Sequence, residues 1–154
     1  MRRPAPWVYV ATAEALDPEM RERINHHKAQ RGDGWVTVEP PLDLVGVLEG
    51  QKGTVLIDCL TLWLSNLVVA GKDVAPEEAR LLAALQNAPS TIFAVSNEVG
   101  LGIVPDNRLA RDFRDAQGRL NQRIAAIADQ VVFMAAGLPM VLKPEAQGPY
   151  ADVR

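Results

Sequence analysis

One cysteine, Cys59, stands among the 154 residues. A lone thiol excludes an internal disulfide framework and a cysteine-based zinc cage. Histidine is nearly as scarce: His26 and His27 are the only two, and they are adjacent. An excess of one charge is lacking too. Sixteen Lys+Arg against nineteen Asp+Glu leave −3, so there is no global electrostatic case for nucleic acid. The longest uncharged apolar-rich stretch, 59–71, is too short to cross a bilayer and suits a buried helix. No Gly-x-x-x-x-Gly-Lys-Ser/Thr loop occurs, because none of the four lysines (Lys28, Lys52, Lys72 and Lys143) follows a suitable glycine run. Internal repeats and low-complexity segments are absent.

What remains is ordinary globular material, with 48% hydrophobic and 23% charged residues in 16.8 kDa. That describes one soluble, cytoplasmic α/β domain spanning 1–154. Met1-Arg2-Arg3, an apolar run and Ala11-Thr12-Ala13 superficially imitate an export signal. Two prolines interrupt that run, and Trp7-Val8-Tyr9-Val10 has the composition of a buried strand, which is the reading adopted here.

Short apolar runs alternate with helical patterns along the chain. Strands are expected at 7–11, 35–39, 54–58, 91–96, 131–135 and 140–143. Asp17-Pro18-Glu19 opens a helix with an N-cap, a proline at the first turn and an early acid, running to about 30. Further helices are expected at 42–48, 60–70 and 76–86. Leu109, Phe113, Ala116, Leu120, Ile124 and Ile127 recur at steps of three and four and mark a long helix over 108–129. Residues 144–154 lack periodicity and read as a loose tail. Continuous apolar strands between helices predict a parallel sheet covered on both faces. Ligands then bind beyond the strands' carboxyl ends, at Thr12-Ala13-Glu14, Asp58 and Ser96-Asn97-Glu98.

Few residues on this list can carry chemistry. Met20, Ile24 and His27 share one helical face, whereas His26 is rotated about 100° away. Lys28 and Arg31 follow closely, and a histidine among cations suits attack on phosphorus because the cations neutralise phosphate charge. Spacing alone favours a plainer role, a half-buried histidine bonded to a backbone carbonyl. Asp58 ends Val55-Leu56-Ile57 as a Mg²⁺-holding acid does in nucleotide-binding sheets, or else it caps the next helix. The 97–107 segment is long for its place and rich in turn formers, so it reads as functional. Of the arginines beyond it, Arg111, Arg119 and Arg123 join Asp115 in a solvated charge ladder, and Arg108 is kept as an anion contact.

Several segments also resemble a known family, in family order: Ala11-Thr12-Ala13 through Asp17-Pro18-Glu19-Met20, Arg23-Ile24-Asn25-His26-His27-Lys28, Trp35-Val36-Thr37-Val38-Glu39-Pro40 and Leu56-Ile57-Asp58-Cys59-Leu60-Thr61. Ser96-Asn97-Glu98-Val99-Gly100-Leu101-Gly102-Ile103-Val104-Pro105 continues the likeness through Leu109-Ala110-Arg111-Asp112-Phe113 to Gly118-Arg119-Leu120-Asn121-Gln122. Together, over about 8–143, they resemble the bifunctional adenosylcobinamide kinase/adenosylcobinamide-phosphate guanylyltransferases of cobalamin biosynthesis.

The resemblance implies two reactions. A nucleoside triphosphate, GTP or ATP, phosphorylates the aminopropanol hydroxyl of adenosylcobinamide. GMP from GTP is then transferred onto that phosphate through a guanylyl-histidine, with Mg²⁺ expected to assist. The family's Arg-Ile-x-x-His setting places the nucleophile on His27. Its nucleotide contacts carry over onto Thr12, Ala13 and Glu14, onto Lys28, Ala29, Gln30 and Arg31, and onto Glu39 and Asp58, the last also a Mg²⁺ ligand. The implied fold is a P-loop (RecA-like) mostly parallel sheet flanked by helices, assembled as a homotrimer. One departure stands out: the strand, Gly-Gly-x-x-Ser-Gly-Lys-Ser loop and helix that precede the Trp7 segment in the family are missing here. The loop cradles the β- and γ-phosphates. A misassigned start is favoured, with a truncated non-catalytic nucleotide-binding or scaffolding paralogue and an inactive product as alternatives.

Overall fold

The computed structural model describes residues 6–144; Met1-Arg2-Arg3 and the expected tail beyond Pro144 lie outside the described residues. In chain order the elements are β1 (Trp7–Ala11), α1 (Pro18–Gln30), β2 (Trp35–Val38), α2 (Leu44–Leu48), β3 (Thr54–Asp58), α3 (Leu60–Val69), α4 (Val74–Asn87), β4 (Thr91–Val95), α5 (Arg108–Ile127), β5 (Val131–Ala135) and β6 (Leu138–Lys143). The first four strands form a parallel sheet in the order β2-β1-β3-β4.

Local chemistry explains most boundaries. Asp17 caps α1 by accepting from the Met20 amide at 2.7 Å, with Pro18 in the first turn. Asp43, Asp73 and Asn107 cap α2, α4 and α5 in the same way. Alternation along the strands then sorts the sheet's two faces. Val8 and Val10 of β1 and Val55 and Ile57 of β3 point to the same side, where they pack with Leu44, Leu48, Trp63, Leu64, Leu67, Leu81 and Leu120. Each such buried side chain contributes roughly 1.5–3 kcal/mol relative to exposure. Trp63 keeps its indole satisfied by donating to the Leu42 carbonyl at 2.9 Å.

The opposite face carries Trp7, Tyr9 and Ala11 of β1 beside Trp35 of β2 and Leu56 and Asp58 of β3. It is much barer. α1 buries none of its residues, so the apolar stripe expected of it is only half-covered.

Two expectations fail here. The 91–96 run reads as a buried strand, yet β4 is an edge strand with Phe93 and Val95 exposed. A continuous apolar run signals burial only if something lies beyond it, and no described strand pairs with that edge. Nor do the last two strands join the parallel sheet. β5 and β6 form a separate antiparallel hairpin. Its turn, Ala136-Gly137, has positive φ at both residues (53° and 76°), the geometry that matches the right-handed twist of a two-residue hairpin. Alanine at such a position gives no turn signal in the sequence. The hairpin leaves Val132, Met134, Leu138 and Met140 in contact with solvent.

Candidate functional site

A cavity of about 240 Å³ opens at the carboxyl ends of β1 and β3, where a parallel sheet is expected to bind ligands. Tyr9, Ala11 and Ala13 form one wall, His27, Lys28 and Arg31 of the α1 region another, and Asp58, Cys59 and Asn97 the floor. A second, larger cavity of about 450 Å³ lies between α2 and α4, next to Gly50 and Pro89 ahead of β3 and β4. It sits at the strands' amino ends and holds no nucleophile or histidine, so the smaller cavity is the functional candidate.

The two histidines part company. His27 lines the cavity with Met20, Ile24 and Arg31, as the shared-face argument requires, although it is exposed rather than buried. Its ring meets that of His26 edge-on at 6.4 Å and makes no hydrogen bond among the described residues. The plainer role, a histidine satisfied by a carbonyl, is therefore not what the structure holds. His26 lies outside the cavity, its Nε2 2.7 Å from the Gln30 amide nitrogen.

Asp58 does not cap α3; Cys59 occupies that position with no side-chain bond. One Asp58 oxygen, Oδ2, instead accepts a hydrogen bond from the Tyr9 hydroxyl. Burial, reinforced by that bond and the carboxylate charge, pushes the Tyr9 hydroxyl well above the usual phenol range, so it stays a neutral donor. The Arg31 guanidinium lies over the Tyr9 ring, 3.8 Å from its centroid. Sequence reasoning missed Tyr9, because its role depends on the β1–β3 register.

Asn97 is held from both sides. Its amide donates to Thr61 Oγ1 at 2.8 Å, and its carbonyl accepts from Asn121 Nδ2 at 3.1 Å. Asn121 is steadied in turn: Gln117 Nε2 donates to its Oδ1 at 2.8 Å and to Ser96 Oγ at 2.9 Å. This network fastens the end of β4 to α5. The rest of the 97–107 segment stays away from the cavity. Arg111 leaves the expected charge ladder and donates to the Pro105 and Asp106 carbonyls at 2.9 and 2.8 Å, fixing that segment to α5. Arg108 is exposed, pairs with Asp112 at 3.3 Å and lies outside the cavity lining.

The family described as cobinamide kinase / cobinamide phosphate guanyltransferase matches residues 1–142. The chain belongs to that family. It is 46% identical over 142 residues to the bifunctional adenosylcobalamin biosynthesis protein CobP of Pseudomonas aeruginosa, covering 89% of this chain and 82% of the relative. It is 41% identical over 158 residues to the bifunctional adenosylcobalamin biosynthesis protein CobU of Salmonella typhimurium, with 90% and 87% covered. The CobU of Escherichia coli is 38% identical over 154 residues, with 88% and 85% covered.

The positions that the cobinamide kinase/guanyltransferase resemblance singles out fall into four groups. Ala13, His27, Lys28, Arg31 and Asp58 line the cavity together. Glu39 is tied to it through Lys28, whose Nζ lies 2.6 Å from Glu39 Oε1. Both side chains are about half exposed, and such a pair is worth about 0–1 kcal/mol. Glu14, Ala29 and Gln30 are exposed and outside the lining. Thr12 is fully buried, its hydroxyl engaged with the Cys59 backbone at 2.7 and 2.8 Å. Among the described residues no three His, Cys, Asp or Glu side chains converge on a metal position, and no helix is long and apolar enough to cross a membrane.

Proposed function

We propose that this chain serves the two-step chemistry its family name describes, phosphorylation of adenosylcobinamide and guanylylation of the product, with His27 as the nucleophile of the second step. The observation that carries this reading is the shared cavity. His27, Lys28 and Arg31 face Asp58 and Asn97 across a space at the sheet's carboxyl edge. A ring nitrogen of His27 attacks the α-phosphorus of GTP; an N–P bond forms, the α–β P–O bond breaks, and pyrophosphate leaves with the electron pair. A phosphate oxygen of adenosylcobinamide phosphate then attacks the same phosphorus, breaking the N–P bond and freeing His27. Lys28 and Arg31 neutralise the phosphate charge in both steps.

Mg²⁺ fits this site in its usual manner, bound by one or two carboxylates and completed by phosphate oxygens and water. Asp58 would supply the carboxylate: Tyr9 engages Oδ2, and among the described residues no hydrogen bond engages Oδ1. The ion would screen the triphosphate. GTP or ATP serves the kinase step, the protein works in the cytoplasm, and the active assembly is a trimer.

We also infer that the sheet is a RecA-like P-loop sheet short of its first strand–loop–helix unit. The open β4 edge, the exposed Phe93 and Val95 beside it, and the apolar hairpin set apart from the sheet support this. An in-frame Gly-Gly-x-x-Ser-Gly-Lys-Ser coding stretch upstream of Met1 is the expected finding.

The same open edge favours a second reading, a non-catalytic nucleotide-binding or scaffolding chain. Incubation with α-labelled GTP and Mg²⁺, followed by a denaturing gel, separates the two. Acid-labile, alkali-stable label that disappears in His27→Ala and persists in His26→Ala supports the nucleophile. No label on a folded chain supports the second reading. Equal loss in both variants, each with native circular dichroism, overturns the assignment of His27.

A further inference from the structure

Two opposite charges rest on a single ring in this cavity. Tyr9 is 7% exposed; its hydroxyl donates to Asp58 Oδ2, and its ring face carries the Arg31 guanidinium at 3.8 Å. The parallel register sets Ala11 opposite Asp58 and Tyr9 opposite Leu56, so Tyr9 and Asp58 share one face of the sheet. Trp35 meets the Tyr9 ring edge-on at 5.9 Å and is itself 5.4 Å from Trp7. An aromatic stack on β1 and β2 therefore holds the ring in place.

Asp58 and Arg31 touch the same side chain, yet they form no ion pair among the described residues. A carboxylate and a guanidinium this close would ordinarily join in a bidentate pair and neutralise one another. One Arg31 nitrogen, Nη1, is buried and has no hydrogen-bond partner among the described residues. Buried guanidinium nitrogens normally have partners. Both groups are thus held apart, each with unused capacity.

We propose that Tyr9 is the positioning residue of this site, holding Asp58 and Arg31 apart so that one meets the metal–nucleotide complex and the other a phosphate oxygen. The hydroxyl fixes the carboxylate's rotation and leaves Oδ1 for the ligand. The ring gives the guanidinium a platform. This inference rests on the nucleotide reading of the cavity given above.

Two substitutions divide the two contacts. Tyr9→Phe keeps the platform and removes the hydroxyl; Oδ2 then faces an apolar ring edge, and the carboxylate turns toward water. Tyr9→Leu removes both contacts and lets Asp58 and Arg31 pair. The test is calorimetric titration of GTP into the folded full chain at a series of Mg²⁺ concentrations, with and without a chelator. For Tyr9→Phe, the Mg²⁺ concentration for half-maximal tightening should rise about threefold or more, and the metal-free affinity should stay within about twofold of wild type. For Tyr9→Leu, metal-free affinity should fall about tenfold as well, since the cation loses its platform and gains a competing partner.

A purely structural Tyr9 would lower the melting temperature in both variants and leave the Mg²⁺ dependence of the folded chain unchanged; that outcome overturns the proposal. Asp58→Asn is the control. If it leaves the Mg²⁺ dependence intact, or if the folded wild-type chain binds no GTP, the underlying nucleotide reading fails and takes the proposal with it. If Asp58→Asn alters that dependence and Tyr9→Phe does not, Tyr9 alone is wrongly assigned.

Discussion

Thr12→Val removes one oxygen and nearly preserves shape, which makes it the sharpest test of how the end of β1 is held. The Thr12 hydroxyl accepts from the Cys59 amide at 2.8 Å and donates to the Cys59 carbonyl at 2.7 Å. Thr12 is 0% exposed, so water cannot replace either bond. Valine would leave the buried N–H of Cys59 without a partner, whereas its C=O still accepts from the Trp63 amide at 3.2 Å. The stranded N–H costs about 1–3 kcal/mol and the lost bond to the carbonyl about 0.5–1.5 kcal/mol, and the added methyl recovers part of this, for a net loss of about 1–3 kcal/mol. For a chain of this size that lowers the melting temperature by about 2–12 °C. Thr12→Ser keeps the hydroxyl and loses one methyl, about 1 kcal/mol. Urea denaturation followed by circular dichroism compares the three proteins, and calorimetry measures GTP affinity on the same samples. The expected pattern is a larger stability loss in the valine variant than in the serine variant, with GTP affinity of its folded fraction little changed. A valine variant as stable as wild type that no longer binds GTP would refute this reasoning and give the hydroxyl to the ligand.

Other perturbations follow from the packing. Arg123→Met strands the Glu78 carboxylate, which lies 3.0 Å away and whose second oxygen has no partner among the described residues; we expect a loss of about 1–3 kcal/mol. Adding Glu78→Leu should recover most of that loss in the same urea titration, because replacing both members of a poorly solvated pair is often neutral. Asn107→Ala removes the side-chain cap on α5, where Oδ1 accepts from the Ala110 amide at 2.8 Å, and should lower stability by about 1 kcal/mol.

Much of this architecture is legible in the residues themselves. Asp17-Pro18-Glu19 announces α1, and the three- and four-residue steps from Leu109 onward announce α5, because capping and amphipathicity are local effects. The separation of His27 from His26 is equally local, a rotation around one helix. What escapes the sequence depends on distant partners. The burial of β4 is misjudged because an apolar strand looks the same whether or not a neighbour covers it. Arg111 looks like one rung of a charge ladder until the chain before α5 folds back to offer it two carbonyls. Tyr9 and Asp58 lie far apart in the chain, and only the β1–β3 register brings hydroxyl and carboxylate together.

The strand order also bears on how the chain comes to fold during synthesis. β1 is the first described strand to leave the ribosome, yet it lies inside the sheet, with Trp7 paired to Trp35 on one side and Thr54 on the other. Neither of its ladders can close until those later segments have emerged, and its second partner is not complete before Asp58. Until then Val8 and Val10 have no core to enter. Pairings of such long sequence separation form slowly, because loop closure must precede any reward from contact. The nascent chain therefore carries an apolar β1 without its β3 partner from the synthesis of Ala11 until that of Asp58, and this lag is its period of greatest exposure to misassociation.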